Sequence, residues 1–219
     1  MKQEKTGMNF EMIEYYERRA KDYQDVYNKT ENKYELSRVS DYLSCELENL
    51  AVLELACGTG YWTDKVSIFA KSILAFDIND SAIRIAKSIN HPKNNVSFFL
   101  ADIFNIPLGK NNVDSIFGCF IWSHIPLQNV DSFLKNTNNL VPRGGKVIFI
   151  DNSTVNQSID CKDKEGNTYQ IRYLKDGRHF KIIKNFPTEE YFAKMLAGIG
   201  RIVNYERVDR IWILMYETL

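Results

Sequence analysis

The chain has 219 residues, and its 28 Lys plus Arg balance its 28 Asp plus Glu, so the formal net charge at pH 7 is zero. This balance offers no global attraction for nucleic acid or an anionic membrane. No apolar run approaches the roughly 18 residues that cross a bilayer, and the first residues lack the apolar core of a signal peptide. Four cysteines without a Cys-x-x-Cys pair predict reduced thiols, so we expect a cytoplasmic protein.

The first predicted element is a helix from Asn9 to about Asn28, with Asn9 as its N-cap. Tyr16, Tyr23 and Tyr27 are spaced seven and four residues apart, which places them on one face of this helix. Tyr15 adjoins that face. This face either packs against the domain or carries a tyrosine over a ligand. A second helix is predicted from about Lys33 to Glu48.

A buried strand, a glycine turn and a helix follow at residues 51–70. Ala51 to Leu55 is mostly apolar, as expected of a strand covered on both faces. Gly58 and Gly60 allow a sharp turn close to a ligand, and the next helix points its first N–H groups into the same space. A dinucleotide fingerprint would need a third glycine where Thr63 stands. Glu54 would repel a diphosphate and suits a cationic ligand.

The second predicted strand, Ser72 to Ile78, ends on an acid, Asp77. In nucleotide-binding α/β folds an acid at this place accepts hydrogen bonds from ribose hydroxyls. The alternative is that Asp77 only ends the strand, with Asp80 or Asn79 as the cap of the next helix. Asp80 or Ser81 is the better candidate for capping the next helix, which leaves Asp77 available for a ligand.

The remaining chain continues the alternation of strands and helices and then departs from it. The predicted elements are strands at 96–100, 113–121, 146–151, 202–208 and 210–216 and helices at 81–90, 129–140 and 188–197, the last capped by Thr188. Between 152 and 185, Asp176 and Gly177 separate two alternating runs, which predicts a β-hairpin. The last two strands are joined by one residue and must be antiparallel.

The stretch Glu-Leu-Ala-Cys-Gly-Thr-Gly at 54–60 resembles the first motif of class I S-adenosylmethionine-dependent methyltransferases. The resemblance implies an α/β fold: a Rossmann-like seven-stranded mixed sheet in the order 3-2-1-4-5-7-6 with an antiparallel seventh strand and helices on both faces. It also implies S-adenosyl-L-methionine as the cofactor. We expect one domain, with an N-terminal helical cap (1–48), a cofactor-binding core (51–152), a hairpin insertion (153–187) and a C-terminal part (188–219).

The resemblance also implies which residues form the site. The expected cofactor-binding residues are Tyr15, Tyr23, Glu54, Ala56, Gly58, Thr59, Gly60, Asp77, Ile78, Asp102, Ile103 and Phe120. Of these, Asp102 and Ile103 would hold the adenine, and Phe120 either lines a pocket or packs in the core. The expected substrate residues are Tyr16, Trp122 and His124. Since the three histidines are scattered, we expect no metal site.

His124 is the candidate catalytic residue. It follows the predicted fourth strand by three residues, in the crevice where the order of strands reverses. The ordinary pKa of histidine, about 6.5, would let it accept a proton at neutral pH. The alternative is that His124 only bonds to backbone in the turn.

The predicted function is methyl transfer to an N or O atom of a small-molecule acceptor by a monomer or homodimer. The first alternative is an enzyme that modifies RNA or protein, because basic residues crowd the insertion. They are Lys162, Lys164, Arg172, Lys175, Arg178, Lys181 and Lys184. Interspersed acids dilute this charge, so nucleic acid is not favoured as a partner. The second alternative is a non-catalytic cofactor-binding subunit.

Overall fold

The computed structural model describes residues 7–27 and 33–219, except the side chains of 24–26. The strands are β1 Ala51–Glu54, β2 Ser72–Asp77, β3 Val96–Leu100, β4 Ser115–Cys119, β5 Lys146–Asn152, β6 Cys161–Lys162, β7 Thr168–Tyr173, β8 His179–Ile183, β9 Gly200–Val208 and β10 Ile211–Thr218. The α-helices are α1 Phe10–Arg19, α2 Lys33–Leu47, α3 Tyr61–Ser67, α4 Asp80–Lys87, α5 Val130–Asn138 and α6 Glu189–Leu196. Shorter 3₁₀ turns cover Ala20–Val26, Trp122–His124 and Leu127–Asn129.

The main sheet has the order β3-β2-β1-β4-β5-β10-β9. Strands β1 to β5 pair in parallel, and β10 runs antiparallel to both β5 and β9. Numbered within this sheet alone, the order is 3-2-1-4-5-7-6, so the predicted topology is confirmed. The order reverses between β1 and β4, and this reversal opens a crevice at their carboxyl ends.

The sheet is buried on both faces, which explains the apolar runs of its central strands. Val52 packs with Val39 and Leu43 of α2 on one face. Leu53 belongs to the core of the other face, together with Phe133 of α5. Removing each such side chain from water stabilises the fold by about 1.5–3 kcal/mol.

The insertion forms a second sheet in the order β6-β7-β8. The predicted hairpin of β7 and β8 is confirmed, whereas the short strand β6 was not expected. Phe180 and Ile182 of β8 form a small apolar cluster with Met12 and Tyr15 of α1. The hairpin and the N-terminal helix therefore pack on each other and cover the crevice together.

The helix ends agree with the sequence in part. Asn9 Oδ1 accepts a hydrogen bond from Met12 N at 2.9 Å, and the Thr188 side chain accepts one from Tyr191 N, so both predicted N-caps are confirmed. The helix after Asn9 is α-helical only to Arg19 and continues as a 3₁₀ turn. Its predicted last residue, 28, lies outside the described residues.

The favoured cap candidates of α4, Asp80 and Ser81, are wrong. Asn79 holds the N-cap position without a side-chain hydrogen bond, and Asp80 is already helical, where its carboxylate pairs with Arg84.

In the described part of the chain, no helix is both long enough and apolar enough to span a membrane.

Candidate functional site

Two adjoining cavities lie at the carboxyl ends of the central strands. The first, of about 100 Å³, lies between the glycine turn and the N-terminal segment of the cap. The second, of about 540 Å³, lies between α1, α2 and the hairpin sheet. The residues that line both cavities are Tyr16, Tyr23, Tyr27, Phe120 and His124. These shared side chains mark the place where the two cavities adjoin.

The glycine turn uses its two glycines for different purposes. Gly58 lines the first cavity with φ +54°, a left-handed conformation that favours glycine, and open space surrounds the place of a Cβ. Gly60 begins α3 at φ +85° and does not line the cavity. A Cβ on Gly60 would lie 3.0 Å from Cβ of Ala86 in α4. Gly60 therefore permits close packing of α3 on α4.

Asp77 holds the turn and also faces the first cavity. Its Oδ2 accepts a hydrogen bond from Gly58 N at 2.9 Å, and its Oδ1 accepts one from Asn79 N at 2.8 Å. Burial raises the pKa of this carboxyl group, while these backbone bonds oppose the rise. Each carboxylate oxygen has a second lone pair, so Asp77 has acceptor capacity left for a ligand.

Glu54 is the second buried acid in the first cavity, and its partner is Thr63. Thr63 Oγ1 donates to Glu54 Oε2 at 2.5 Å, which gives a role to the residue that replaces a third glycine. Burial raises the pKa of Glu54 to about 8, and the nearby Asp77 carboxylate adds to the rise. A cation in this cavity would favour the ionised form of Glu54.

Two polar atoms beside the glycine turn have no hydrogen-bond partner within the described chain. They are Thr59 Oγ1 and Trp62 Nε1, both buried in residues that line the first cavity. A buried polar group left unpaired costs about 1–3 kcal/mol. Together with Glu54 and Asp77, these atoms fit a polar ligand that carries both a cationic group and hydroxyl groups.

His124 is held between the cap helix and the hairpin. Its Nδ1 lies 2.7 Å from the carbonyl oxygen of Ile183, which can only accept, so Nδ1 carries the proton. Its Nε2 then accepts a hydrogen bond from the Tyr16 hydroxyl at 3.0 Å. Burial, with the charge of Lys184, lowers the pKa of His124 to about 3. The expectation of an ordinary histidine pKa is therefore wrong, and His124 is neutral at pH 7.

A buried ion pair supports the turn that carries His124. Asp151 of β5 accepts a hydrogen bond from Ser123 N at 2.8 Å. Lys184 donates to Ser123 Oγ at 2.8 Å and to Asp151 Oδ1 at 3.2 Å. This network was not predicted, because its members lie far apart in the chain and form no motif.

Most of the predicted site residues meet at the first cavity. The predicted residues that line it are Tyr16, Tyr23, Glu54, Ala56, Gly58, Thr59, Asp77, Ile78, Phe120 and His124. Tyr15 lines the second cavity instead. Asp102 and Ile103 line neither cavity: Asp102 Oδ1 accepts from Phe104 N at 2.9 Å, and the Ile103 side chain lies in the core. Their adenine contact stays a prediction.

Trp122, which was predicted to contact the substrate, lies in the hydrophobic core. Its ring is 2% exposed and lies 4.9 Å from the ring of Phe149 and 5.0 Å from that of Phe192, between centroids. It lines neither cavity. The 3₁₀ turn after β4 directs Trp122 into the core and His124 into the crevice. The sequence alone does not show which of these two residues faces the crevice.

The cations of the second cavity were not predicted as a group. Arg19 of α1 was not singled out, and Arg172 of β7 was counted only among the basic residues of the insertion. Two other cations of that insertion are paired with acids: Lys175 with Asp22, and Arg178 with Asp176. Across the described residues, no group of three or more His, Cys, Asp or Glu side chains could hold a metal ion.

Comparisons with known proteins agree with this geometry. A family model described as a methyltransferase domain matches residues 52–145. A phosphoethanolamine N-methyltransferase of Triticum aestivum is 30% identical over 124 residues, which is 56% of this chain and 24% of that protein. A malonyl-[acyl-carrier protein] O-methyltransferase of Bacillus cereus is 35% identical over 108 residues, covering 48% of this chain and 38% of that protein.

One solved structure resembles this chain over almost its whole length. The complex of DhpI with SAH has a TM-score of 0.78 and 26% identity, and the match covers 97% of both chains. The curated plant relatives differ in extent, since the chain spans only about a quarter of their length.

Proposed function

We propose that this chain, which belongs to the class I S-adenosylmethionine-dependent methyltransferases, transfers a methyl group to an N or O atom of a small-molecule acceptor. The observation that carries this proposal is the first cavity, which combines two buried acids, Glu54 and Asp77, with the unpaired Thr59 Oγ1 and Trp62 Nε1. The cofactor has a sulfonium, an ammonium, a carboxylate and a ribose, and these residues fit such a set of groups.

The arrangement of the two cavities supports methyl transfer at the place where they adjoin. When bound, S-adenosylmethionine supplies a methyl group that is already activated by the sulfonium. The main task of the protein is then to hold the acceptor in line with that group and to exclude water. The second cavity adjoins the first through Tyr16, Phe120 and His124, and it is the space that we assign to the acceptor.

Tyr16 and His124 act as positioning residues in this proposal. His124 is neutral and accepts the Tyr16 proton in a hydrogen bond, so the hydroxyl oxygen of Tyr16 keeps lone pairs for a donor on the acceptor. The Ile183 carbonyl fixes the tautomer of His124 and thereby the direction of that bond. His124 thus orients Tyr16 and need not take up a proton itself.

Calorimetric titration with S-adenosylhomocysteine and with NAD⁺ tests the cofactor assignment. We expect S-adenosylhomocysteine to bind and NAD⁺ not to bind. A screen of small acceptors, with methylated product detected by mass spectrometry, tests the activity. Tight S-adenosylhomocysteine binding with no product from any acceptor would favour the non-catalytic subunit. Binding of NAD⁺ alone would refute the proposal.

A further inference from the structure

The second cavity has an excess of positive charge. Its lining includes Arg19, Arg172, Lys184 and Arg210. Two of these cations are paired with buried acids: Arg210 Nε lies 2.8 Å from Glu35 Oε1, and Lys184 Nζ lies 3.2 Å from Asp151 Oδ1. Arg19 and Arg172 therefore determine the net charge of this cavity.

Neutral groups hold both of these guanidinium groups. Arg19 Nη1 donates to the Tyr15 hydroxyl at 2.8 Å, and its guanidinium carbon lies 5.5 Å from the centroid of the Tyr23 ring. Arg172 donates to Gln170 Oε1. Among the side chains that the structure describes, neither arginine has a carboxylate oxygen within 4 Å. Their positive charges are thus left for a ligand.

Arg172 is directed by a residue two positions before it. Gln170 is buried, and its amide nitrogen donates to the Ser158 carbonyl at 2.7 Å and to Gln157 Oε1 at 3.2 Å. This leaves Gln170 Oε1 for the Arg172 guanidinium. Residues 170 and 172 lie on the same face of β7, because side chains alternate along a strand. The hydrogen bond orients the guanidinium at the cavity wall.

The wall that Arg172 faces carries no opposing negative charge. Burial is the largest cause that raises the pKa of Tyr16 and lowers the pKa of His124, and the Arg172 charge acts on both groups. Tyr16 and His124 are therefore both neutral at pH 7. An anion that enters the second cavity meets two guanidinium groups without a carboxylate partner, beside two neutral side chains.

Building on the proposed function, we propose that the methyl acceptor is an anion, and that Arg172 and Arg19 bind its phosphate, phosphonate or carboxylate group in the second cavity. A guanidinium binds such groups through two parallel hydrogen bonds. The source of the anion can be a phosphate ester, a phosphonate or a carboxylic acid, since all present the same pair of oxygens.

An anionic acceptor also suits a site without a base. If an oxyanion is the nucleophile, a lone pair that is already free forms the new O–C bond, and the S–C electron pair stays on sulfur. The products are a neutral thioether and a methyl ester, and no proton has to leave. This matches a His124 that is neutral and already engaged on both ring nitrogens.

Titration of the S-adenosylhomocysteine complex with three probes tests the proposal. The probes are phosphoethanolamine, inorganic phosphate and acetate, and ethanolamine is the control that lacks an anion. At least one anionic probe should bind to the wild-type complex, whereas ethanolamine should not. Arg172→Gln should weaken that binding about 10- to 100-fold, as expected for the loss of a charged hydrogen bond.

Arg178→Gln is the matched control, because Arg178 pairs with Asp176 in the hairpin turn and does not line the cavity. It should leave probe binding unchanged. Arg172→Lys keeps the charge but loses the two-pronged geometry, and it should fall between the wild type and Arg172→Gln.

The same titrations separate this proposal from the proposed function. If S-adenosylhomocysteine binds to all variants while no anionic probe binds, or Arg172→Gln binds the probe as well as the wild type does, the anion site is refuted and the proposed function stands. If S-adenosylhomocysteine fails to bind to the wild type, both are refuted.

Discussion

The hydroxyl oxygen of Tyr16 lies 3.0 Å from Nε2 of His124, and 108 residues separate the two in the chain. Through Nδ1, the same imidazole also bonds to the Ile183 carbonyl at 2.7 Å. One ring thus joins the cap helix α1, the turn after β4 and the hairpin strand β8. This joint lies at the place where the two cavities adjoin, so the cap and the crevice are coupled at the place assigned to methyl transfer.

We expect the turnover of the proposed methyl transfer to show no inflection near pH 6.5. The pKa of His124 is about 3, so its protonation state does not change between pH 5 and 8. His124→Ala should still lower turnover about 10- to 100-fold, because Tyr16 loses the bond that orients it. The pH dependence of kcat for the wild type and this variant checks the prediction.

His179→Ala serves as the control, since His179 is exposed on β8. It should keep normal turnover. A wild-type inflection near pH 6.5 that is lost in His124→Ala would instead make His124 a titrating base.

Binding of S-adenosylhomocysteine should release protons at pH 7. Glu54 has a pKa of about 8 in the free protein, so it is mostly protonated. The cationic amino group of the ligand favours the carboxylate and lowers this pKa on binding. Affinity should therefore rise as the pH increases toward 8.

Calorimetry in two buffers of different ionisation enthalpy measures this proton release. Glu54→Gln should abolish the difference between buffers, whereas the exposed variant Asp80→Asn should retain it. Equal heats in both buffers for the wild type would show that Glu54 does not change its protonation state.

Asp77→Asn should weaken cofactor binding and also loosen the glycine turn. One oxygen that accepts a backbone hydrogen bond, from Gly58 N or Asn79 N, is replaced by an amide nitrogen that cannot accept. We expect an affinity loss of about 10- to 100-fold and a decrease of about 1–3 kcal/mol in the free energy of unfolding. Calorimetry and urea unfolding measure the two effects. Asp80→Asn, three residues further on, is the control, and equal behaviour of the two variants would contradict this role of Asp77.

The cap should change when the cofactor binds. The first cavity has about 100 Å³, whereas small-molecule sites usually have roughly 300–1,000 Å³. The ring of Tyr27 stacks on that of Tyr61 at 3.8 Å between centroids and narrows this space. The cap must therefore move to admit the ligand and then close over it.

Hydrogen exchange with and without S-adenosylhomocysteine tests the cap prediction. Protection should increase in α1 and in the hairpin of β7 and β8. The pair β9 and β10, at the far edge of the sheet, is the internal reference. Unchanged protection in both α1 and the hairpin would show that these two elements are rigid.

Local sequence patterns were enough to predict the order of elements and the position of the glycine turn. Apolar runs such as 52–55 predict strands buried on both faces, and a one-residue link before Arg210 requires an antiparallel pair. Local rules also located the caps at Asn9 and Thr188, because an N-cap depends only on residues three positions away. They failed at Asp80, where the side chain pairs with Arg84 within the helix.

Which side chains face the site, and how they are charged, depends on contacts between distant parts of the chain. The turn after β4 sends Trp122 into the core and His124 into the crevice, although the two are two residues apart. Burial shifts the pKa of His124 down and that of Glu54 up, and burial depends on contacts across the whole chain. Likewise, Arg19 and Arg172 meet at one cavity only because the hairpin folds back onto α1.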